Sequence, residues 1–228
     1  MLPRGGGALS SSDIQPGIPE RKPSALVQAG PFAILAAAFL WLRSHRDRLP
    51  EMMPVHWNAR FEADSFVPRD SPAAALPLMV GLLVCLMLLA FQAGLRRSAP
   101  PSPLRASTLK TLLVGEYFSA LVCCGVLAAM ATEGRLLKPV LALSLLGVLA
   151  LLALVWIGLR RIPREPVRNP SAWRGGLFYV DREDPALFVP KRSGLGYTFN
   201  YGHPAALPLT LIFLVLPLAV LAAVAFLR

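Results

Sequence analysis

The stretch TLLVGEYFSALVCCGVLAAMA, Thr111–Ala131, is followed after four residues by LLKPVLALSLLGVLALLALVWIGL, Leu136–Leu159. Each run has the length needed to cross a hydrocarbon core of about 30 Å at about 1.5 Å per residue. Backbone groups in lipid must find partners within their own segment, so both runs are read as helices. The connection Thr132-Glu133-Gly134-Arg135 is too short for anything but an antiparallel helical hairpin. Gly115, Ser119 and Cys123 recur at spacing four on the first of these helices, a small-residue stripe that lets another helix approach closely.

Working outward, three more apolar runs have the same character: Ala25–Leu42, Ala73–Gly94 and Ala205–Leu227. The first is the weakest, because Gln28, Gly30 and Pro31 interrupt its opening turns. Trp41, Arg43 and His45 mark its far interface, where amphipathic rings and snorkelling charges are favoured. The expected fold class is therefore an all-α integral membrane protein with five transmembrane helices and a small β-hairpin-containing module between helices four and five. Composition agrees: 55% of the 228 residues are apolar, 16% are charged, and mean hydropathy is +0.55, whereas a soluble domain is nearer a quarter charged.

Division follows from the apolar runs. Residues 1–23, with Gly5-Gly6-Gly7 and Ser10-Ser11-Ser12, read as a disordered tail. Residues 24–158 form a four-helix membrane domain with an outer loop at 44–72. Residues 159–204 form a small basic module, and 205–228 the fifth helix. Within the module, Gly176–Val180 is expected to pair with Ala186–Val189 around the turn residues Asp181–Pro185, with Gly196–Tyr201 as a third extended piece.

The net charge of +10 is not read as a nucleic-acid signal, because Lys and Arg gather on the cytoplasmic loops of membrane proteins. The tail carries three, the second connection four and the fourth connection eight; the opposite side carries eight in all. The N-terminus and the basic module are thus expected inside, the 44–72 loop and the C-terminus outside. Cys85, Cys123 and Cys124 all lie in apolar runs and read as small reduced hydrophobes. No paired-His, HExxH or GxSxG spacing occurs, so neither a cofactor, a metal nor an enzymatic activity is expected.

Three places remain where recognition could reside. Pro54, His56, Trp57, Asn58 and Asp64 stand in the outer loop as a candidate binding group, with Asn58 closing a short strand. Glu116 is the only carboxylate inside an apolar span, where a central charge costs roughly 2.5–3.5 kcal/mol. It is a coupling group for a proton or cation, or a structural carboxyl near a helix start. Trp173, Arg174, Phe178, Tyr179, Lys191, Arg192 and Asn200 in the inner module suit docking of a soluble partner or contact with anionic headgroups. Gly194-Leu195-Gly196 beside Lys191-Arg192 is a weak phosphate-cradle signal without a strand–loop–helix context.

The outer loop, Met53-Pro54-Val55-His56-Trp57-Asn58 with Asp64, resembles the "IPxHWN-x-x-G-x-x-D" signature of a bacterial membrane family. That family carries domain of unknown function 1648 and is related to SdpI-type immunity proteins. Phe61 stands where the family has Gly, a departure that bears on the tight turn there; Arg69 matches a basic residue common after the loop. GGLFY, DPALFVPKR and GLGYTFNYG in Trp173–Gly202 resemble domain of unknown function 5808. The resemblance implies a bacterial inner-membrane protein that protects against a secreted peptide toxin and, in some members, sequesters a repressor at the membrane. The implied partners are the bilayer, an extracellular peptide or envelope component, and a cytoplasmic regulator. The C-terminal helical region of the toxin-immunity protein is not evident here.

Overall fold

The computed structural model describes residues 22–162, 167–194 and 196–226. The expected disordered tail falls almost entirely outside this range. Among the described residues four helices are long and apolar enough to cross a membrane: α1 Ala25–Ser44, α2 Leu76–Ser98 with a lead-in 3-10 turn at Pro72–Ala75, α3 Pro103–Ala131, and α4 Leu137–Arg160. A fifth helix, α5 Ala206–Phe226, has a described apolar stretch of only Ala206–Leu216.

Helix ends follow local chemistry. Ser24 caps α1 by accepting from the Val27 N–H, and Ser102 caps α3 by accepting from that of Arg105, each satisfying an orphan donor. Pro103 occupies the first turn of α3, where its missing N–H costs nothing. Helix three therefore starts eight residues before its apolar run, and Arg105 lies on the helix rather than in a loop. Its guanidinium folds back to donate to the Ala99 carbonyl at the end of α2. Pro31 cannot donate to the Val27 carbonyl one turn below, and the Tyr117 hydroxyl donates to that carbonyl instead, at 2.8 Å. The Tyr117 ring has its place because Gly30 has no side chain to occupy it.

Helix α3 is central, packing most extensively on α2 and also on α1 and α4. The small-residue stripe does what its spacing predicts: Cys123 lies against Gly81 of α2, and Gly115 faces Leu88. The apolar window of α4 is not buried at all, leaving a broad hydrocarbon face.

The mostly helical chain carries β-hairpins at both ends of the bundle: hairpins in the module, as expected, and one more in the 44–72 loop. In the 44–72 loop, the outer loop of the expected topology, β1 Met52–Trp57 pairs antiparallel with β2 Ala63–Pro68. β1 is the short strand expected ahead of Asn58; its pairing with Ala63–Pro68 goes beyond that expectation. Met53 and Val67 point from this hairpin into the core formed with Leu42, Leu78, Leu127 and Met130. Burial of such side chains is worth about 1.5–3 kcal/mol each, so the hairpin is a lid on the bundle. In the inner module, the expected pairing of Gly176–Val180 with Ala186–Val189 is not observed. Instead β3 Trp173–Arg174 pairs with β4 Phe178–Tyr179, and β5 Phe188–Pro190 with β6 Tyr197–Phe199. Gly175 and Gly176 lie at φ +57° and +73° and close the first hairpin themselves, a conformation glycine adopts without steric cost. A parallel bridge from Tyr179 to Asn200 joins the two hairpins.

Candidate functional site

The outer hairpin is irregular where its polar residues cluster. In its register Val55 on β1 and Asp64 on β2 have no direct partner, two bulges that compensate one another. A bulge re-aims a side chain, and Asp64 turns onto His56, Nδ1 to Oδ1 2.5 Å. Both side chains remain about 40% exposed (His56 40%, Asp64 43%). Pro54 is fully buried, while Trp57 packs partly against the bundle core. Its indole lies over the α3–α4 connection at Gly134. Asn58 builds the hairpin turn: Oδ1 accepts from the Arg60 and Glu62 N–H groups at 2.8 and 3.1 Å, and Nδ2 donates to Glu62 Oε2 at 3.0 Å. The turn that Phe61 put in question does form, with Phe61 itself left-handed at φ +63°. Of the five outer residues, His56 and Asp64 meet as one solvent-facing pair. Pro54, Trp57 and Asn58 set the scaffold beneath them.

Glu116 is completely buried between three helices. Gln28 Nε2 of α1 donates to its Oε2 at 3.0 Å, and Gln92 Nε2 of α2 donates to Oε1 at 2.6 Å. Gln92 in turn accepts from Arg96 Nη2 at 3.2 Å. The carboxyl thus sits in a buried amide cage with a guanidinium one bond away. A buried polar group unsatisfied in lipid is costly, so the cage accounts for its tolerance there. Sequence reasoning found Glu116 but missed Gln92 and Arg96. The signal was present: Gln92 and Arg96 stand four apart, on one face of an otherwise apolar helix.

The inner module sorts its candidates into two groups. Trp173, Tyr179 and Asn200 are buried and hold the module together. Asn200 Nδ2 donates to the Asp181 and Asp184 carbonyls at 2.7 and 3.0 Å, and its Oδ1 accepts from the Asp181 and Gly202 N–H groups at 3.0 and 2.9 Å. The Tyr179 hydroxyl donates to Asp184 Oδ2 at 3.0 Å, which also pairs with Arg168 at 2.9 Å. Burial, then the two nearby carboxylates, pushes the Tyr179 phenol above its ordinary range. The Asn169 amide beside Asp181 holds that carboxyl below the usual carboxylate range. Arg174, Phe178, Lys191 and Arg192 are exposed and form the available surface. At the turn of Lys191–Gly196 the backbone bonds to itself, Gly194 N–H to Lys191 O and Lys191 N–H to Gly196 O. Two donors that a phosphate cradle would present are therefore spent, and Leu195 lies outside the described residues. No group of three His, Cys, Asp or Glu side chains converges among the described residues in a way that could hold a metal.

The module is seated on the bundle. Phe188 and Tyr197 join Leu95, Leu104 and Leu109 in one core, and Phe188 packs edge-on against Phe91 of α2. Tyr197 and Ser102 hydroxyls are 3.2 Å apart.

Comparison with known proteins places two regions. Residues 32–81 match a domain of unknown function (DUF1648), and residues 182–207 match a family of unknown function (DUF5808). The second match begins after the first inner hairpin, so the Trp173–Tyr179 part of the expected likeness lies outside it. No curated protein and no solved structure matches the chain. The chain is thus similar to DUF1648 from Phe32 within α1 through the 44–72 hairpin to the first turns of α2, and to DUF5808 from Arg182 in the module to the first residues of α5.

Proposed function

We propose that this is a non-enzymatic multi-pass protein of the bacterial inner membrane. It reads an envelope component or secreted peptide through the outer hairpin and couples it to the inner module. One observation carries the reading: the same helix pair, α2 and α3, forms the hairpin's core with Leu78, Leu127 and Met130 and the module's core with Leu95, Leu104 and Leu109. A shift of that pair driven at one end is felt at the other, where a cytoplasmic regulator or anionic lipid would meet Arg174, Phe178, Lys191 and Arg192. In this reading α5 is a fifth crossing, the N-terminus is inside and the C-terminus outside, as the Lys and Arg distribution favours. SdpI-type toxin immunity is one form the function takes. Deleting the gene and challenging cells with a broad panel of secreted peptide toxins tests it. Heightened sensitivity, restored by the intact gene, is the expected result; unchanged sensitivity throughout the panel removes the immunity form.

A second reading is favoured by the caged Glu116. A transporter or permease component would use it as a coupling group, because ionisable residues inside membranes commonly mark ion or proton paths. Glu116→Gln separates the two: proton-coupled flux is abolished, whereas immunity or signalling survives the substitution.

A further inference from the structure

At the hairpin end, the last turn of α1 and the start of α2 leave a crevice of about 280 Å3. Phe39, Leu42 and Met79 form its apolar wall, and Arg43, Arg46 and Arg69 stand around it with Asp70. Phe39 and Met79 are both exposed on the flank of the bundle, so the crevice opens sideways as well as outward. It sits at the boundary of two membrane-length helices, the depth at which headgroups give way to acyl chains.

The three guanidiniums are poorly neutralised. The Arg43 side chain makes no hydrogen bond or ion pair among the described residues. Arg46 reaches Asp47 at 3.5 Å and Asp70 at 3.8 Å, both long, exposed pairs of the kind that bind weakly. Arg69 is held at the rim through Nη1 alone, donating to the Leu49 carbonyl at 2.8 Å and the Asp47 carbonyl at 3.4 Å. Its charge meets no carboxylate among the described residues. Planar, permanently charged forks beside an apolar wall match one chemistry closely: a phosphodiester with a hydrocarbon tail.

We propose that this crevice binds an anionic phospholipid, the headgroup phosphate among Arg43, Arg46 and Arg69 and an acyl chain along Phe39 and Met79. A zwitterionic headgroup fits less well, because its ammonium would meet a surplus of positive charge while Asp70 already faces Arg46. The site is separate from His56 and Asp64, and it stands whether the protein signals or transports.

The full-length protein, purified in mild detergent, is offered phosphatidylglycerol or phosphatidylcholine of identical chains, and bound lipid is counted by native mass spectrometry. Preferential retention of phosphatidylglycerol is expected, weakened by roughly tenfold or more in the Arg43→Gln/Arg46→Gln double variant. Arg43→Lys, which keeps the charge, and Arg135→Gln, which removes an exposed charge at the same end of the bundle, retain the preference. Thermal unfolding of each variant establishes that the fold is intact; Arg69 is left unchanged because it braces the backbone. Equal retention of the two lipids overturns the proposal, as does an equal loss in Arg135→Gln. Displacement of phosphatidylglycerol by millimolar inorganic phosphate would assign the crevice to a soluble oxyanion instead.

Discussion

At the hairpin end of the bundle Met53 and Val67 reach into the helix core, Met52, Phe61 and Phe66 stay exposed, and the polar His56 and Asp64 face solvent. At the module end polar groups go inside as well, beside buried Phe188 and Val189. Asn200 and the Tyr179 hydroxyl are buried and bonded, while Phe178 and Leu177 lie exposed. The hairpin therefore draws its stability from the helices it covers. The module, with strands of two or three residues, adds a buried side-chain network to its short ladders and to the packing of Phe188 and Tyr197 on the helices. A loss of side-chain hydrogen bonds is expected to be severe at the inner end and mild at the outer one.

Asn200→Ala is the largest expected effect. It strips partners from two backbone carbonyls and two N–H groups, and buried groups left unsatisfied cost about 1–3 kcal/mol each. A loss of about 3 kcal/mol or more, read as rapid proteolysis of the module while the helices stay protected, is the outcome. A module as resistant as the wild type would break the comparison.

The reach of sequence reasoning divides along the same line. The spans were legible because apolar length is a signal that any packing must respect. The start of α3 is not, since Ser102 and Pro103 extend the helix by capping chemistry ahead of its apolar run, whereas its end at Ala131 is where that run stops. The inner strands carry no period-two pattern, being shorter than one full alternation, and Asp181–Pro185 looked as much like a turn as Gly175-Gly176 did. Gln92 escaped because charge was counted and amides were not. Trp57 and Asn58 stand out by residue type, but their spacing does not say that Asn58 builds a turn and Trp57 rests on the α3–α4 connection.

Gly134→Ala comes next. Gly134 sits at φ +87°, and a Cβ there would lie 2.9 Å from the Trp57 indole nitrogen. The left-handed backbone alone costs about 1–2 kcal/mol, so the melting temperature in detergent falls and Trp57 fluorescence shifts as the hairpin lifts from the α3–α4 turn. Unchanged fluorescence would mean the hairpin does not rest there. Phe61→Gly acts in the opposite sense at the hairpin tip. Relief of the left-handed Phe61 is worth about 1 kcal/mol, offset in part by the lost Lys138 contact over its ring, 5.6 Å from the centroid, at about 0.5 kcal/mol. Slower amide exchange at the turn is the expected readout, and faster exchange would contradict the strain.

Asp64→Asn should be the smallest change. Exposed ion pairs are worth about 0–1 kcal/mol, so the hairpin keeps its fold within that margin. A loss matching that of Asn200→Ala would erase the distinction between the two ends.

In the proposed function the hairpin and the module lie on opposite sides of one membrane, joined by α2 and α3. Cysteines introduced at Ala59 and Leu177, both exposed, test it with an impermeant thiol reagent on intact cells; Ala172 is buried and would stay silent on either side. Labelling of the Ala59 position in intact cells, and of the Leu177 position only after the membrane is opened, is the predicted result. Labelling of both positions in intact cells, or of Leu177 alone, would contradict it.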